Sequence, residues 1–329
     1  MLRTAVASMG FLGFLGFLGL LGVSGLAQAQ PMSTAPRCPP VASSPTAEQV
    51  AAAQAAAKDR GFLWRISKGG RSSYLYGTIH LGKLEWAPPG PLIARALAEV
   101  QVMALELDIT DPATLTKLQR AMARKPDAPA LPAALRLRLT QETAAACLPP
   151  GALADQQPAV QALSLTLLSA RWEGLDATYA QELTLASMAQ ANGLPVMALE
   201  SVDEQMAALL PASPAEAERF VGQALAQIQS GAARRGSVRL TQAWAEGKLD
   251  ELAGYEQWCE CINSEEDRQL LRRLNDDRNP AIASRIDRIH NQGRAVFAGV
   301  GALHMTGPKA LPELLRQRGF EVERVRFTP

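Results

Sequence analysis

Several signatures of common enzyme classes are missing from this chain. It has no H-E-x-x-H, no G-x-S-x-G, no Walker loop and no G-x-G-x-x-G. Zinc-protease, serine-hydrolase and nucleotide-binding readings therefore lack support. Histidine is scarce, with three in the whole chain, so any imidazole chemistry rests on His80, His290 or His304. Net charge is nearly absent, at +1. That balance argues against nucleic acid or an anionic membrane surface as the main partner. Charge is also missing from the start of the chain, where Arg3 is the only charged side chain before Arg37. Beyond that start, no segment reaches the ~20 apolar residues that a spanning helix needs.

What the start does hold is a positive n-region, an apolar run over residues 11–21 and the triplet Ala27-Gln28-Ala29. Together these read as a secretory signal peptide over 1–29, removed from the mature chain. The run is short and interrupted by glycines, which disfavours its retention as a membrane helix. Cys38 follows Ala35-Pro36-Arg37, which is not a lipoprotein processing site. Removal takes Arg3 with it, leaves the chain neutral and places it in the periplasm or outside the cell, with no stable membrane insertion. In an oxidising compartment Cys38, Cys147, Cys259 and Cys261 suggest two disulfides. Cys259 and Cys261 are close neighbours in sequence, so the expected bridges join Cys38 and Cys147 to Cys259 and Cys261 in either order. Two isolated cysteines and a C-x-C lack zinc-ribbon spacing.

Residues 30–57 read as a linker and a helix. Five prolines fall between Pro31 and Pro45, the composition of a tether. Thr46 with Gln49 forms a capping box ahead of an Ala-rich helix. From 58 to 329 the pattern is that of one α/β domain. Strands are expected over 62–67 and 73–79, joined by a Gly69-Gly70 hairpin turn, and over 102–107, 195–199, 295–301 and 321–327. Between Asp111 and Asn275 the pattern is mostly helical, with starts at Asp111-Pro112 and Asp176, a stop at Gly193, and Ser201 with Glu204 capping another helix. β-elements thus cluster at both ends around a helical middle, which predicts a sheet assembled from distant segments.

Two internal echoes sharpen this. Val102-Met103-Ala104-Leu105-Glu106 returns as Val196-Met197-Ala198-Leu199-Glu200, and Gly77-Thr78-Ile79-His80 returns as Gly301-Ala302-Leu303-His304. Each G-x-x-H follows an apolar strand and precedes glycine, proline, a helix and another strand. The expected architecture is a central mixed β-sheet built from two GxxH-containing strand–helix–strand repeats, with a large helical insertion. If the repeats pack side by side, His80 and His304 converge at strand ends, where α/β sheets tend to form sites. Two imidazoles and a carboxylate make a common open metal site. Glu106 and Glu200 both end apolar strands, and Asp108 shares the face of Glu106 if that strand continues. Glu200 has a simpler role available, at the N-terminus of the helix that Ser201 opens. His290 falls near the C-terminal end of a polar helix, where a cation is favoured. Arg278, beside Asn279 and Pro280 at a helix start, either clamps a carboxylate or an oxyanion, reaching the rim of the site, or pairs with Asp276 or Asp277.

The segments Tyr74-Leu75-Tyr76-Gly77-Thr78-Ile79-His80-Leu81-Gly82, Ala104-Leu105-Glu106-Leu107-Asp108, Asp277-Arg278-Asn279 and Gly299-Val300-Gly301-Ala302-Leu303-His304, with Gly307 and Leu311 behind them, resemble the TraB/GumN family. That family includes the TIKI metalloproteases and has a distant likeness to erythromycin esterases. The resemblance runs from about Gly61 to Phe327. It implies His80, Glu106, Arg278 and His304 as site residues and, through the TIKI members, a divalent ion such as cobalt or manganese. The expected function is a metal-dependent hydrolase, including a peptidase, acting on a peptide or small-molecule substrate. His80 and His304 would hold the ion, Glu106 would complete its ligands or serve as general base, and Arg278 would stabilise an oxyanion. The alternatives are a non-catalytic envelope protein that binds a peptide or small ligand in the same cleft, and a role in exopolysaccharide production.

Overall fold

The six strands of the protein form one mixed sheet in the order β4-β3-β5-β2-β1-β6, in a computed structural model that describes residues 38–327. The expected signal segment and the first part of the linker lie outside the described residues. β1 (Phe62–Lys68) and β2 (Arg71–Thr78) pair antiparallel, with Lys68 opposite Arg71. Gly69 and Gly70 between them both take positive φ, 57° and 75°, as a type I′ hairpin turn requires. β3 (Val102–Leu105) and β5 (Val296–Gly301) are continuous apolar runs, the pattern of parallel strands buried on both faces. β5 pairs parallel with β2 on one side and with β3 on the other, and β4 (Val196–Ala198) pairs parallel with β3. β1 runs against β2 and against β6 (Glu321–Val325).

The connections create a crevice. After β2 the chain passes through the helix α2 (Pro91–Ala98) to β3, on the far side of β5. After β5 it passes through a later helix (Leu311–Gln317) to β6, on the far side of β1. The chain thus leaves the ends of two adjacent strands in opposite directions, the switch point at which ligands bind in open α/β sheets. Both G-x-x-H segments lie there, but not equivalently. Gly77 is inside β2 and opposite Val300, whereas Gly301 is the last residue of β5 and opposite Thr78. His304 therefore sits in a single helical turn, Ala302–Met305, beyond its strand.

A helix α1 (Ala47–Ala55), with the Thr46–Gln49 capping box, precedes the sheet. The insertion holds α3 (Pro112–Met122), α4 (Ala133–Ala145), α5 (Pro158–Ser169), α6 (Gln181–Ala191), α7 (Val202–Leu209), α8 (Pro214–Gln229), α9 (Ala232–Ala245), α10 (Leu249–Ala253), α11 (Tyr255–Trp258) and α12 (Glu265–Leu274). α13 (Asn279–Asn291) and α14 (Leu311–Gln317) flank β5 in sequence. Asp111 caps α3, and Ser201 with Glu204 forms the capping box of α7. Asp176 caps only the short turn Ala177–Tyr179, and α6 starts afterwards at Gln181. The insertion has its own apolar cluster, which includes Leu131, Leu139, Leu165, Val221 and Leu225. It is fastened to the sheet at the residues around the first G-x-x-H. The indole N–H of the fully buried Trp244 donates to the Gly77 carbonyl at 2.7 Å. Gly82 and Asp176 exchange two backbone hydrogen bonds, and the Gln181 N–H donates to the Ile79 carbonyl.

Three expectations are corrected. The disulfides are Cys38–Cys147 and Cys259–Cys261, not the crossed pairs. The turn after α11 folds the chain back so that the Cα atoms of Cys259 and Cys261 stand 5.0 Å apart, within bridging reach. β3 stops at Leu105, and Asp108 instead accepts from the backbone N–H and hydroxyl of Thr110 in a local turn. His290 is in the last turn of α13, as the sequence suggests, but it is buried. Its ring contacts the Lys68 carbonyl through Nε2 at 2.9 Å and the Ser73 hydroxyl through Nδ1 at 2.8 Å, so it braces the hairpin. No helix among the described residues is long and apolar enough to cross a membrane.

Candidate functional site

The site is built at the carboxyl ends of β2, β3 and β5. Leu199 N–H donates to the Leu105 carbonyl and Glu200 N–H to the Glu106 carbonyl, so two glutamates leave neighbouring strand ends side by side. Both are buried. Two buried carboxylates demand a counter-charge, and Arg278, at the start of α13, supplies it. Its Nε donates to Glu200 Oε1 at 2.8 Å and its Nη2 to Glu106 Oε2 at 2.7 Å, with a second, shorter bond to Glu200 Oε2. Nη1 donates to the Leu274 carbonyl at 2.7 Å and faces His304 Nε2 at 3.3 Å. Burial opposes the charge on Arg278, but the two carboxylates outweigh it and raise its pKa. Arg278 is thus the hub of the site and not a residue of its rim. The rival pairing does not occur, since Asp276 accepts from the Lys309 N–H and Asp277 pairs with the Lys309 ammonium.

Glu106 is held ionised. Burial alone would raise its pKa, yet His304, Arg278 and His80, with the Gly301 N–H at 2.8 Å from Oε1, bring it down to about 2. Burial acts in the same direction on Glu200 but prevails there, so its pKa stays raised despite Arg278. His304 is buried and its pKa falls to about 4, chiefly through burial, with Arg278 and His80 adding to the fall and Glu106 opposing it. Its tautomer follows from Asn279. The Asn279 amide donates to the carbonyls of Lys309 and His304, which turns its Oδ1 toward His304 Nδ1 at 2.5 Å. Nδ1 therefore carries the proton and Nε2 the lone pair. His80 is at the lip, with its side chain 65% exposed. Glu182 stands 3.1 Å from its Nδ1 and lifts its pKa to about 9, with help from Glu106 and against Arg278. Solvent screens part of that pull.

The three groups face one point. Gly301 has no side chain, and a methyl placed there would lie 3.3 Å from Glu106 Oε1, 3.5 Å from His304 Cδ2 and 3.9 Å from His80 Nε2. His80, Glu106, His304 and Arg278 are therefore brought together, with Glu200 as a fifth member; Asp108 and His290 are elsewhere. Three participants have no signal in the sequence. Glu182 reads as an ordinary acidic residue in the first turn of a helix. Gln205, which donates to Glu106 Oε2 at 3.0 Å, reads as a polar helix residue. Asn279 is adjacent to Arg278 in a motif, yet nothing in the motif states that it sets a tautomer.

The donors suit a divalent transition metal in kind. There are two imidazoles and a carboxylate, and each imidazole is braced at Nδ1 by an oxygen so that Nε2 is left for a ligand. Among the described residues, no three His, Cys, Asp or Glu side chains stand at metal-binding spacing, and Arg278 shares the nitrogen of His304. An ion there requires Arg278 to release that nitrogen, which its three other acceptors (Glu106, Glu200 and the Leu274 carbonyl) allow.

The family model described as the TraB/PrgY/gumN family matches residues 62–324. No curated protein and no solved structure matches the chain.

Proposed function

The chain belongs to the TraB/PrgY/gumN family, and from that premise we propose that it is an exported hydrolase whose divalent metal ion is held by His80, His304 and Glu106. The observation that carries this reading is the convergence on Gly301 of two imidazoles and a carboxylate, with both Nδ1 atoms occupied. When bound, such an ion supplies Lewis-acid polarisation of a carbonyl or phosphoryl oxygen. Glu106 acts as an anionic ligand and not as the base, because a carboxylate with a pKa of about 2 and hydrogen bonds on both oxygens is a weak proton acceptor. Asn279 keeps the proton of His304 on Nδ1 and its lone pair facing the cleft. Arg278, permanently charged, stabilises negative charge that develops on the attacked group. His80, at the exposed lip, meets the substrate side of the cleft. A peptide or small amide or ester is the substrate class, since among the described residues the site holds one guanidinium, that of Arg278.

Export is part of the same proposal. The signal-like start and the two disulfides support it. N-terminal sequencing of secreted protein is expected to begin at Gln30; intact Met1 on membrane-held protein overturns it. The hydrolase is tested by metal analysis of the purified mature protein together with hydrolysis of a peptide library. His80→Ala and His304→Ala are expected to lose both metal and turnover while remaining folded. A second reading, a binder without turnover, is favoured by one observation: Arg278 already engages Glu106, Glu200 and His304. Bound peptide without turnover in the metal-loaded protein would select it.

A further inference from the structure

We propose that Glu182, on the first turn of α6 in the insertion, is the positioning residue of His80. This rests on the reading of His80 as an ion ligand. Glu182 Oε1 accepts from the Thr78 hydroxyl and stands 3.1 Å from His80 Nδ1, so it holds the proton on Nδ1 and turns Nε2 toward the Gly301 point. Thr78 is fully buried at the end of β2, and α6 is docked there by the Gln181 N–H on the Ile79 carbonyl. Among the described residues the imidazole has no other hydrogen-bond or ion-pair partner, and it is mostly exposed. One oxygen of Glu182 is not used by its neighbours. Its Oε2 is buried with no hydrogen-bond partner, one of two such side-chain atoms among the described residues. A buried carboxylate oxygen left unpaired is destabilising, and such residues are found where function retains them. The insertion thus contributes directly to the site, through Glu182.

The test uses the full mature protein and the variants Glu182→Gln, Glu182→Ala and Glu182→Asp. Three readouts are taken: 15N chemical shifts of the His80 ring at pH 10, where the ring is neutral, affinity for Mn2+ or Co2+ by calorimetry, and thermal stability. In the wild-type protein Nδ1 is expected to be protonated. In Glu182→Ala the neutral ring reverts to its usual Nε2–H form, metal affinity falls about 10- to 100-fold, and stability falls only modestly with the loss of the contacts to His80 and Thr78. Glu182→Gln removes the charge with little change of shape and falls between these, and Glu182→Asp restores part of the affinity. Unchanged His80 shifts in a folded Glu182→Ala protein overturn the proposal. A large drop in thermal stability in Glu182→Gln also overturns it, because Glu182 is then a structural residue. If wild-type protein binds neither ion, the metal reading fails by itself and the His80 ring shifts still decide the positioning role.

Discussion

Arg278 shows how one residue can organise a site. Its guanidinium stands between two buried carboxylates, and its fork meets both while Nη1 also meets a carbonyl and an imidazole. Removing it takes the guanidinium from two buried carboxylates, and Glu106 keeps only the Gly301 N–H and Gln205 as hydrogen-bond donors. Arg278→Ala is expected to lose on the order of 3–5 kcal/mol in urea denaturation. Arg278→Lys, which keeps the charge but not the fork, should lie between the two. His304 makes a pH prediction for the metal-free protein. Its folded pKa is lowered to about 4 from an ordinary 6.5, so between those values the unfolded chain binds the additional proton. Stability therefore falls as pH drops from about 6.5 toward 4, at no more than about 1.4 kcal/mol per pH unit for one proton. His80 acts in the other direction: its pKa is raised to about 9, so its contribution is present below 6.5 and is lost as pH rises through 9, reduced by its exposure. Denaturation of wild-type and His304→Gln proteins at pH 5 and pH 7 checks the first of these. The variant should lose less stability between the two pH values.

At the scale of elements, the ends of β2 and β5 have different tolerances. Gly301 closes β5 in an ordinary backbone conformation, φ −48° and ψ 138°, and a methyl there enters the space among His80, Glu106 and His304 at ordinary contact or slightly closer. Gly301→Ala is expected to change stability by less than about 1 kcal/mol while lowering affinity for a divalent ion, as calorimetry would detect. Gly82, in the loop after β2, faces the insertion. A methyl there would stand 2.5 Å from the Tyr179 carbonyl oxygen, a backbone atom that cannot turn away. Gly82→Ala is expected to lower stability by about 1–3 kcal/mol, measurable in urea, because it separates the insertion from the loop that carries His80. An equal loss at the two positions would contradict this assignment.

Over the whole molecule, the two disulfides differ in reach. Cys38–Cys147 closes 109 residues of sequence and ties the segment before α1 to the insertion, whereas Cys259–Cys261 spans a separation of 2. In the chain-entropy account a loop of that longer length is worth about 4–5 kcal/mol. Cys38→Ser is therefore expected to lower Tm by several degrees more than Cys261→Ser, and non-reducing peptide mapping should recover a Cys38–Cys147 pair. Much of the fold was legible in the sequence, because strands buried on both faces are continuous apolar runs and because capping boxes, Gly-Gly turns and Asp-Pro starts act over a few residues. The two G-x-x-H segments and the Glu-ended strands were legible for the same reason, as short local patterns. The rest depended on which distant segments meet. The offset of the two motifs across β2 and β5, the central rather than rim position of Arg278, the cysteine pairing and the pairing of Glu182 with His80 are properties of packing. A pattern of a few residues cannot specify contacts between groups 78 to 172 residues apart, such as Arg278 with Glu200 and Glu106. Those were decided by the sheet order, which brings separate strand ends to one crevice, and by burial, which made two carboxylates require a shared cation.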